Sequence, residues 1–347
     1  MTLRVIDKGD LAGFVDGLIA SEPEVVGPVS KGPKHVFAPL ASAQDLALSY
    51  VSTLLPPKKY LFPPRETLLR FKGGPSPQVE PVIEAPPRII FGVHPCDLRG
   101  IWALDQTFGD DHVDTNYGAR RQATTLIGLD CLPDEHCFCT SVGSDLPEPG
   151  TFDLFLTDIG EAYTAEIGSE RGRTLLSRYA ATRDATGADL ALLEKSRRRK
   201  RGAVKAQFAA DVQTLPLLFE SLQKSPTWDE LAAKCLSCGN CNLVCPSCYC
   251  FDVGDLMQLN LEDGERVRQW DGCVLVDFAT VAGGHNFRKE AKGRLRHRYY
   301  RKFQYLMTRY GRPFCTGCGR CSRACLAHIN PPETINALVA AGEKEEV

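Results

Sequence analysis

The chain has 347 residues and a mass of 38.2 kDa, with 41 Lys+Arg against 43 Asp+Glu and a formal charge of −2. That length suits two domains or one large one, and the near-zero charge supplies no global field for nucleic acid or an anionic membrane. Hydrophobic content of 43% with 24% charged residues excludes disordered and collagen-like classes, and leaves one unusual number, 15 cysteines.

The N-terminal stretch carries acids early and lacks an uninterrupted apolar core, unlike a secretory signal. No segment approaches the roughly 18–20 apolar residues that cross a bilayer. We therefore expect a cytoplasmic chain with no membrane span, where many thiols signal metal binding or redox chemistry rather than disulfides. An odd cysteine total also weakens full pairing. Residues 1–90 alternate short apolar runs with prolines, and helices are predicted at 10–19 and 43–55. Residues 88–93 (RIIFGV) form a predicted buried strand running into His94-Pro95-Cys96-Asp97, with Asp97 as N-cap of a helix over 98–105. A second strand over 124–129 (TTLIGL) runs into Asp130-Cys131, and a hairpin is predicted from 152–157 and 162–167.

From 169 to 210 the pattern is helical and highly charged, including Arg197-Arg198-Arg199-Lys200-Arg201. Such a run is either a solvated helix face or a docking patch for an acidic partner surface. Helices over 215–222 and 228–233 then lead into the dense cysteine region. The predicted fold class is α+β: an N-terminal α/β domain over 1–215, then a C-terminal α-helical ferredoxin-like dicluster domain over 216–347.

Two segments there repeat one spacing. Cys235, Cys238, Cys241 and Cys245 form one C-x2-C-x2-C-x3-C run; Cys315, Cys318, Cys321 and Cys325 form the other. This is the run that ligates cubane [4Fe–4S] clusters: three thiolates wrap one cluster, while the fourth enters a helix and serves the other. Gly239 and Gly319 allow close backbone approach. The spacing predicts one cluster on Cys235, Cys238, Cys241 and Cys325, and a second on Cys315, Cys318, Cys321 and Cys245. Zinc, which usually takes two separated C-x2-C pairs, fits two complete runs poorly. Leu326 stands where Pro often follows the fourth cysteine. The 69 residues between Cys245 and Cys315 exceed a minimal ferredoxin linker and read as largely helical, notably over 290–309.

Of the other seven cysteines, Cys248, Cys250 and Cys273 read as small buried thiols. Cys96, Cys131, Cys137 and Cys139 are more suggestive. If the strands over 88–93 and 124–129 are neighbours in a parallel sheet, these four thiols gather at its carboxyl edge. A third iron–sulfur or metal site there competes with buried or redox-active thiols. No G-x-G-x-x-G follows a strand, no Walker A or H-E-x-x-H run is present, and the seven histidines form no ligand-spaced pair.

The dicluster runs, Cys248-Tyr-Cys250-Phe-Asp252, and Trp270-Asp-Gly-Cys273 through Gly283-Gly-His-Asn-Phe-Arg288 resemble the beta subunit of cytoplasmic sulfhydrogenases and the iron–sulfur subunit of anaerobic sulfite reductases. Phe91-Gly-Val-His-Pro-Cys-Asp-Leu98, Tyr117 with Arg120-Arg121, Gly128 with Cys131, Cys137-Phe-Cys139 and Asp153-Leu-Phe-Leu-Thr-Asp158 are similar too, so the likeness runs from about residue 88 to 332. His94 stands where the resemblance leads us to expect Arg. The resemblance implies a non-catalytic electron-transfer subunit, relaying electrons between a flavin subunit that handles NAD(P)H and a catalytic partner. That partner is a [NiFe] hydrogenase in one branch and a sirohaem sulfite reductase in the other. Arg320 and Arg323, beside the second run, are placed to raise a cluster potential, to meet a partner, or simply to be solvated. Two other readings compete: a structural or redox-sensing iron–sulfur module, and a reductase with its own substrate site near Cys96–Cys139.

Overall fold

Apolar runs bracketed by turn residues become the strands of two sheets in a computed structural model, which describes residues 3–345. Strand β1 (Leu3–Asp7), helix α1 (Lys8–Ser21) and the hairpin β2 (Val25–Lys31)–β3 (Lys34–Pro39) come first. Then follow β4 (Arg65–Lys72), β5 (Gln78–Pro81), β6 (Arg88–Val93), α2 (Pro95–Gly109), α3 (Thr115–Ala123) and β7 (Thr124–Leu129). The first region closes with β8 (Leu154–Asp158), β9 (Ala162–Ile167), α4 (Glu170–Tyr179), β10 (Arg183–Asp184) and α5 (Gly187–Ala203).

The larger sheet has the order β10-β1-β9-β8-β7-β6-β2-β3. Its centre is parallel, β2 against β6, β6 against β7 and β7 against β8. Parallel strands need cover on both faces. Phe14 and Leu18 of α1 pack with Phe91, Ile127 and Leu154 on one face. Leu98, Ile101 and Leu104 of α2 pack with Ile90 and Leu126 on the other. Every residue of β7 is buried, the two leading threonines included.

Two local expectations fail for identifiable reasons. The helix expected over 43–55 shrinks to one 3-10 turn, Ala43–Asp45, closed by a capping box from Ser42. Beyond it the Ala47 N–H donates to the Pro28 carbonyl (2.7 Å) and the Leu54 N–H to the His35 carbonyl (2.9 Å), so donors a helix would use are held by the β2–β3 hairpin. Asp97 is not an N-cap: α2 begins two residues earlier at Pro95, whose missing N–H costs nothing in a first turn.

The chain continues through α6 (Leu215–Ser221), α7 (Thr227–Lys234), α8 (Asn240–Leu243), β11 (Phe251–Met257) and β12 (Gly264–Trp270). It ends with α9 (Ala291–Tyr300), a π-helical turn over Arg301–Tyr305, α10 (Leu306–Tyr310), α11 (Arg320–Ala324) and α12 (Pro331–Glu345). The segment between the cysteine runs therefore includes a hairpin as well as helices. That hairpin joins the second sheet, β11-β12-β4-β5, so strands from either side of residue 215 share one ladder. Buried Glu66 of β4 fixes the join, pairing with Arg268 of β12 and Arg120 of α3 at 2.6 Å each. A separate aromatic core of Phe219, Trp228, Tyr299, Tyr300 and Phe303 joins α6, α7, α9 and the π-helical turn, and Cys235 and Cys315 pack against it. No helix among the described residues is long and apolar enough to cross a membrane.

Candidate metal-cluster centres

The two cysteine runs fold alike because their second intervening positions and their glycines take the left-handed region. Ser237 and Gly239 have φ of 50° and 75°; Gly317 and Gly319 have 62° and 68°. Gly239 and Gly319 cap the N-termini of short helices, α8 and α11, which hold Cys241 and Cys321 and lead on to Cys245 and Cys325. The two helices pack on each other, and the Asn240 side-chain amide donates to the Ala324 carbonyl (3.5 Å).

Cys245, Cys315, Cys318 and Cys321 line one small cavity, with Phe138, Phe303, Arg298 and Lys302 among the other walls. Three of these cysteines come from the second run and Cys245 from the first. Cys235, Cys238 and Cys241 lie on the other loop. Burial pushes the Cys241 thiol up to about 12 and the Cys318 thiol up to about 11. Such thiols keep their protons until a metal displaces them. Backbone donors already point at sulfur: the Ile329 N–H lies 3.3 Å from Cys325 Sγ, and the Gly317 N–H donates to Cys315 Sγ.

The donor set fits an iron–sulfur group better than a hard cation, because it is all thiol and its walls are cationic. Arg294, Arg298 and Lys302 are buried, and among the described residues none has a carboxylate partner. Burial opposes the charge on Lys302, yet the sulfurs of Cys245 and Cys248 hold its ammonium above the ordinary value. Among the described residues no three His, Cys, Asp or Glu side chains converge tightly enough to hold a single ion.

The four N-terminal cysteines sit where the parallel β6–β7 pairing sends them. Cys96 lies in the first turn of α2 after β6, and Cys131 follows β7; Cys131, Cys137 and Cys139 perturb one another's ionisation, as do Cys96 and Cys131. Burial raises all four thiols, Cys131 to about 12 and Cys139 to about 11. This group abuts the second cysteine run at backbone distance. The Phe138 N–H donates to the Gly317 carbonyl (2.9 Å), and a Cβ on Gly317 would lie 2.6 Å from the Cys139 Cα. A Cβ on Gly319 would meet the His136 carbonyl oxygen at 2.5 Å, so both glycines are needed for the approach.

Charged side chains lock this contact. Arg320 is buried and bidentate to Asp97 (2.6 and 2.8 Å), with a further bond from its Nε to the Thr53 carbonyl (2.9 Å). Arg323 bonds Asp134 (3.2 Å), the Cys318 carbonyl (2.8 Å) and Cys137 Sγ (3.5 Å). Neither arginine is simply solvated. The basic run on α5 divides: Lys200 is buried against Asp130 and faces Cys131 and Cys139, whereas Arg198 and Arg199 are exposed. His94 is buried and stacks on Tyr50 (3.9 Å between centroids), and burial drives its ring neutral, so it supplies no charge. A cleft of about 1400 Å³ opens over this corner, with Lys34, Cys131, Lys195, Arg199, Lys200 and Arg323 in its walls.

Cys248, Cys250 and Cys273, read from the sequence as small buried thiols, come together here, with buried Asn242 bonded to Cys248 and Cys273. Their spacing carries no motif; only the pairing of β11 with β12 brings residue 273 back to residue 250.

Residues 234–329 match the family described as 4Fe-4S dicluster domain. Over 306 residues, 88% of this chain and 89% of the relative, the sequence is 35% identical to Sulfhydrogenase 2 subunit beta of Pyrococcus furiosus. No solved structure matches the chain.

Proposed function

The chain belongs to the sulfhydrogenase beta-subunit family, and from that premise we propose that it is the iron–sulfur electron-transfer subunit of a cytoplasmic multisubunit oxidoreductase. It relays electrons between a flavin subunit handling NAD(P)H and a catalytic [NiFe] hydrogenase subunit. The observation that carries this reading is the cavity lined by Cys245, Cys315, Cys318 and Cys321, four thiols drawn from both runs. Cys235, Cys238, Cys241 and Cys325 hold the other [4Fe–4S] cluster. Such clusters, when bound, pass one electron at a time. The protein's part is to exclude water with Phe138 and Phe303, to aim amides at sulfur, and to place Arg298 and Lys302 where added negative charge is favoured.

Cys96, Cys131, Cys137 and Cys139 hold a third iron–sulfur cluster in this reading. Anaerobically purified chain then contains about twelve iron atoms, and Cys131→Ser about eight. About eight in both would leave the quartet without a cluster. Co-purification of nickel with the intact complex tests the hydrogenase assignment; a complex that brings sirohaem instead of nickel overturns it.

The basic cleft above Cys131 is the docking face in this account, and it receives an acidic projection of a partner. Reversing Lys34, Lys195 and Arg199 to Glu should slow reduction by the partner about 10-fold or more at low salt, with iron content unchanged. Anaerobic stopped-flow absorbance reads the rate. A rate that does not respond to the reversals at any ionic strength removes the cleft from the docking surface.

A further inference from the structure

Three thiols remain outside both cysteine runs and the N-terminal quartet. Cys250 immediately precedes β11 and Cys273 lies just beyond β12. The ladder pairs Phe251 with Trp270, and the Asp271 N–H donates to the Cys250 carbonyl (3.0 Å), so the hairpin delivers both cysteines to its open end. There the two thiols lie against each other, and each sulfur shifts the other's ionisation. Asn242, 2% exposed, aims its side-chain amide at Cys273 Sγ (3.5 Å) and Cys248 Sγ (3.7 Å). Gly272 makes that reach feasible, because a Cβ there would lie 2.8 Å from the side-chain Oδ1 of Asn242.

The arrangement is asymmetric. Cys273 is buried, whereas Cys250 is partly exposed. Cys248 turns instead toward Cys245, one of the cavity cysteines. The group does not close on a point as a bound ion would require. Two thiols in contact, one reachable and one sheltered, is the layout of an attacking and a resolving cysteine.

We propose that Cys250 and Cys273 form a redox-active dithiol that reduces a low-molecular-weight disulfide. The Cys250 sulfur attacks one sulfur of that disulfide, forming a mixed disulfide and releasing the first thiol. The Cys273 sulfur then attacks Cys250 Sγ, forming the Cys250–Cys273 bond and releasing the second thiol. The two protons of the cysteine pair end on the two released thiols, so the small disulfide gains two electrons and the pair loses two. Asn242 acts as a positioning residue through its bond to Cys273.

The full chain is equilibrated anaerobically with oxidised and reduced dithiothreitol at set ratios, quenched with an alkylating agent and digested with trypsin. Cleavage after Lys234, Arg266, Arg268 and Arg288 puts Cys250 on peptide 235–266 and Cys273, as its single cysteine, on peptide 269–288. A cross-link between these peptides should appear, with its ratio to the free form rising tenfold for each tenfold rise in the oxidant ratio. It should vanish in Cys250→Ser and survive in Cys248→Ser. Iron is measured on the same samples, which separates failure of this proposal from failure of the cluster assignment. Alkylated Cys273 at every ratio, a cross-link that persists in Cys250→Ser, or loss of metal from the Cys250→Ser, Cys273→Ser double variant would each overturn it.

Discussion

Replacing Cys321 by Ser should remove about four iron atoms per chain, one whole cubane cluster, and much of the local order with them. The cavity explains why the loss is not graded. Cys321 stands in the same small space as Cys245, Cys315 and Cys318, among buried Arg298 and Lys302 that have no carboxylate to fall back on among the described residues. Without a thiolate-bound anion these cations face one another, and the helices carrying them lose their reason to pack. Cys241→Ser should do the same on the other side. Because Cys321 lies on the helix that leads into Cys325, each variant should also weaken the other cluster of the two runs. Iron analysis with electron paramagnetic resonance of the reduced protein checks this, and iron content and cluster signals unchanged from the parent chain in either variant would refute the ligand sets.

The second large effect concerns a pair with no sulfur. Arg320→Leu leaves Asp97 charged, fully buried and unpartnered, and should destabilise the chain by about 3–5 kcal/mol. The loss should reach beyond the pair itself. Asp97 lies beside Cys96, and Arg320 opens the helix between Cys318 and Cys325, so the contact between the N-terminal thiols and the second cysteine run depends on it. The double variant Asp97→Leu, Arg320→Leu should recover most of the stability, since it removes both buried charges. Urea midpoints for the two variants and the parent decide the matter. A single variant within about 0.5 kcal/mol of the parent would mean that the pair does not hold the two regions together.

Local chemistry was legible in the sequence and distant convergence mostly was not. The cysteine runs announce themselves because their ligands lie within a few residues of one another, and glycine at 239 and 319 marks the turns. Strands at 88–93 and 124–129 were visible from β-branched density, and with them the edge where Cys96 and Cys131 come together. The failed helix over 43–55 had adequate composition; its amides were taken by a hairpin that no short window contains. Asp97 looked like a cap because its partner, Arg320, is more than two hundred residues away. Cys250 and Cys273 were invisible as a pair for the same reason, since the β11–β12 register lies between them. The basic run on α5 carried two meanings that only burial separates, with Lys200 turned inward and its neighbours outward.

The shared second sheet has a consequence for how the polypeptide is made. During synthesis β4 and β5 leave the ribosome as a two-strand ribbon whose partner, β12, is not yet translated. At bacterial or slower elongation speeds that wait lasts on the order of ten seconds or more. Throughout it Glu66, destined for a buried site between Arg120 and Arg268, has met only the first of them. The nascent ribbon therefore has an open edge until residue 270 arrives, and the strand that closes it emerges directly after the first cysteine run. Closure of the sheet and loading of that run fall in the same interval of translation, so a shortage of iron–sulfur donors should show first as nascent chains captured by chaperones at this length.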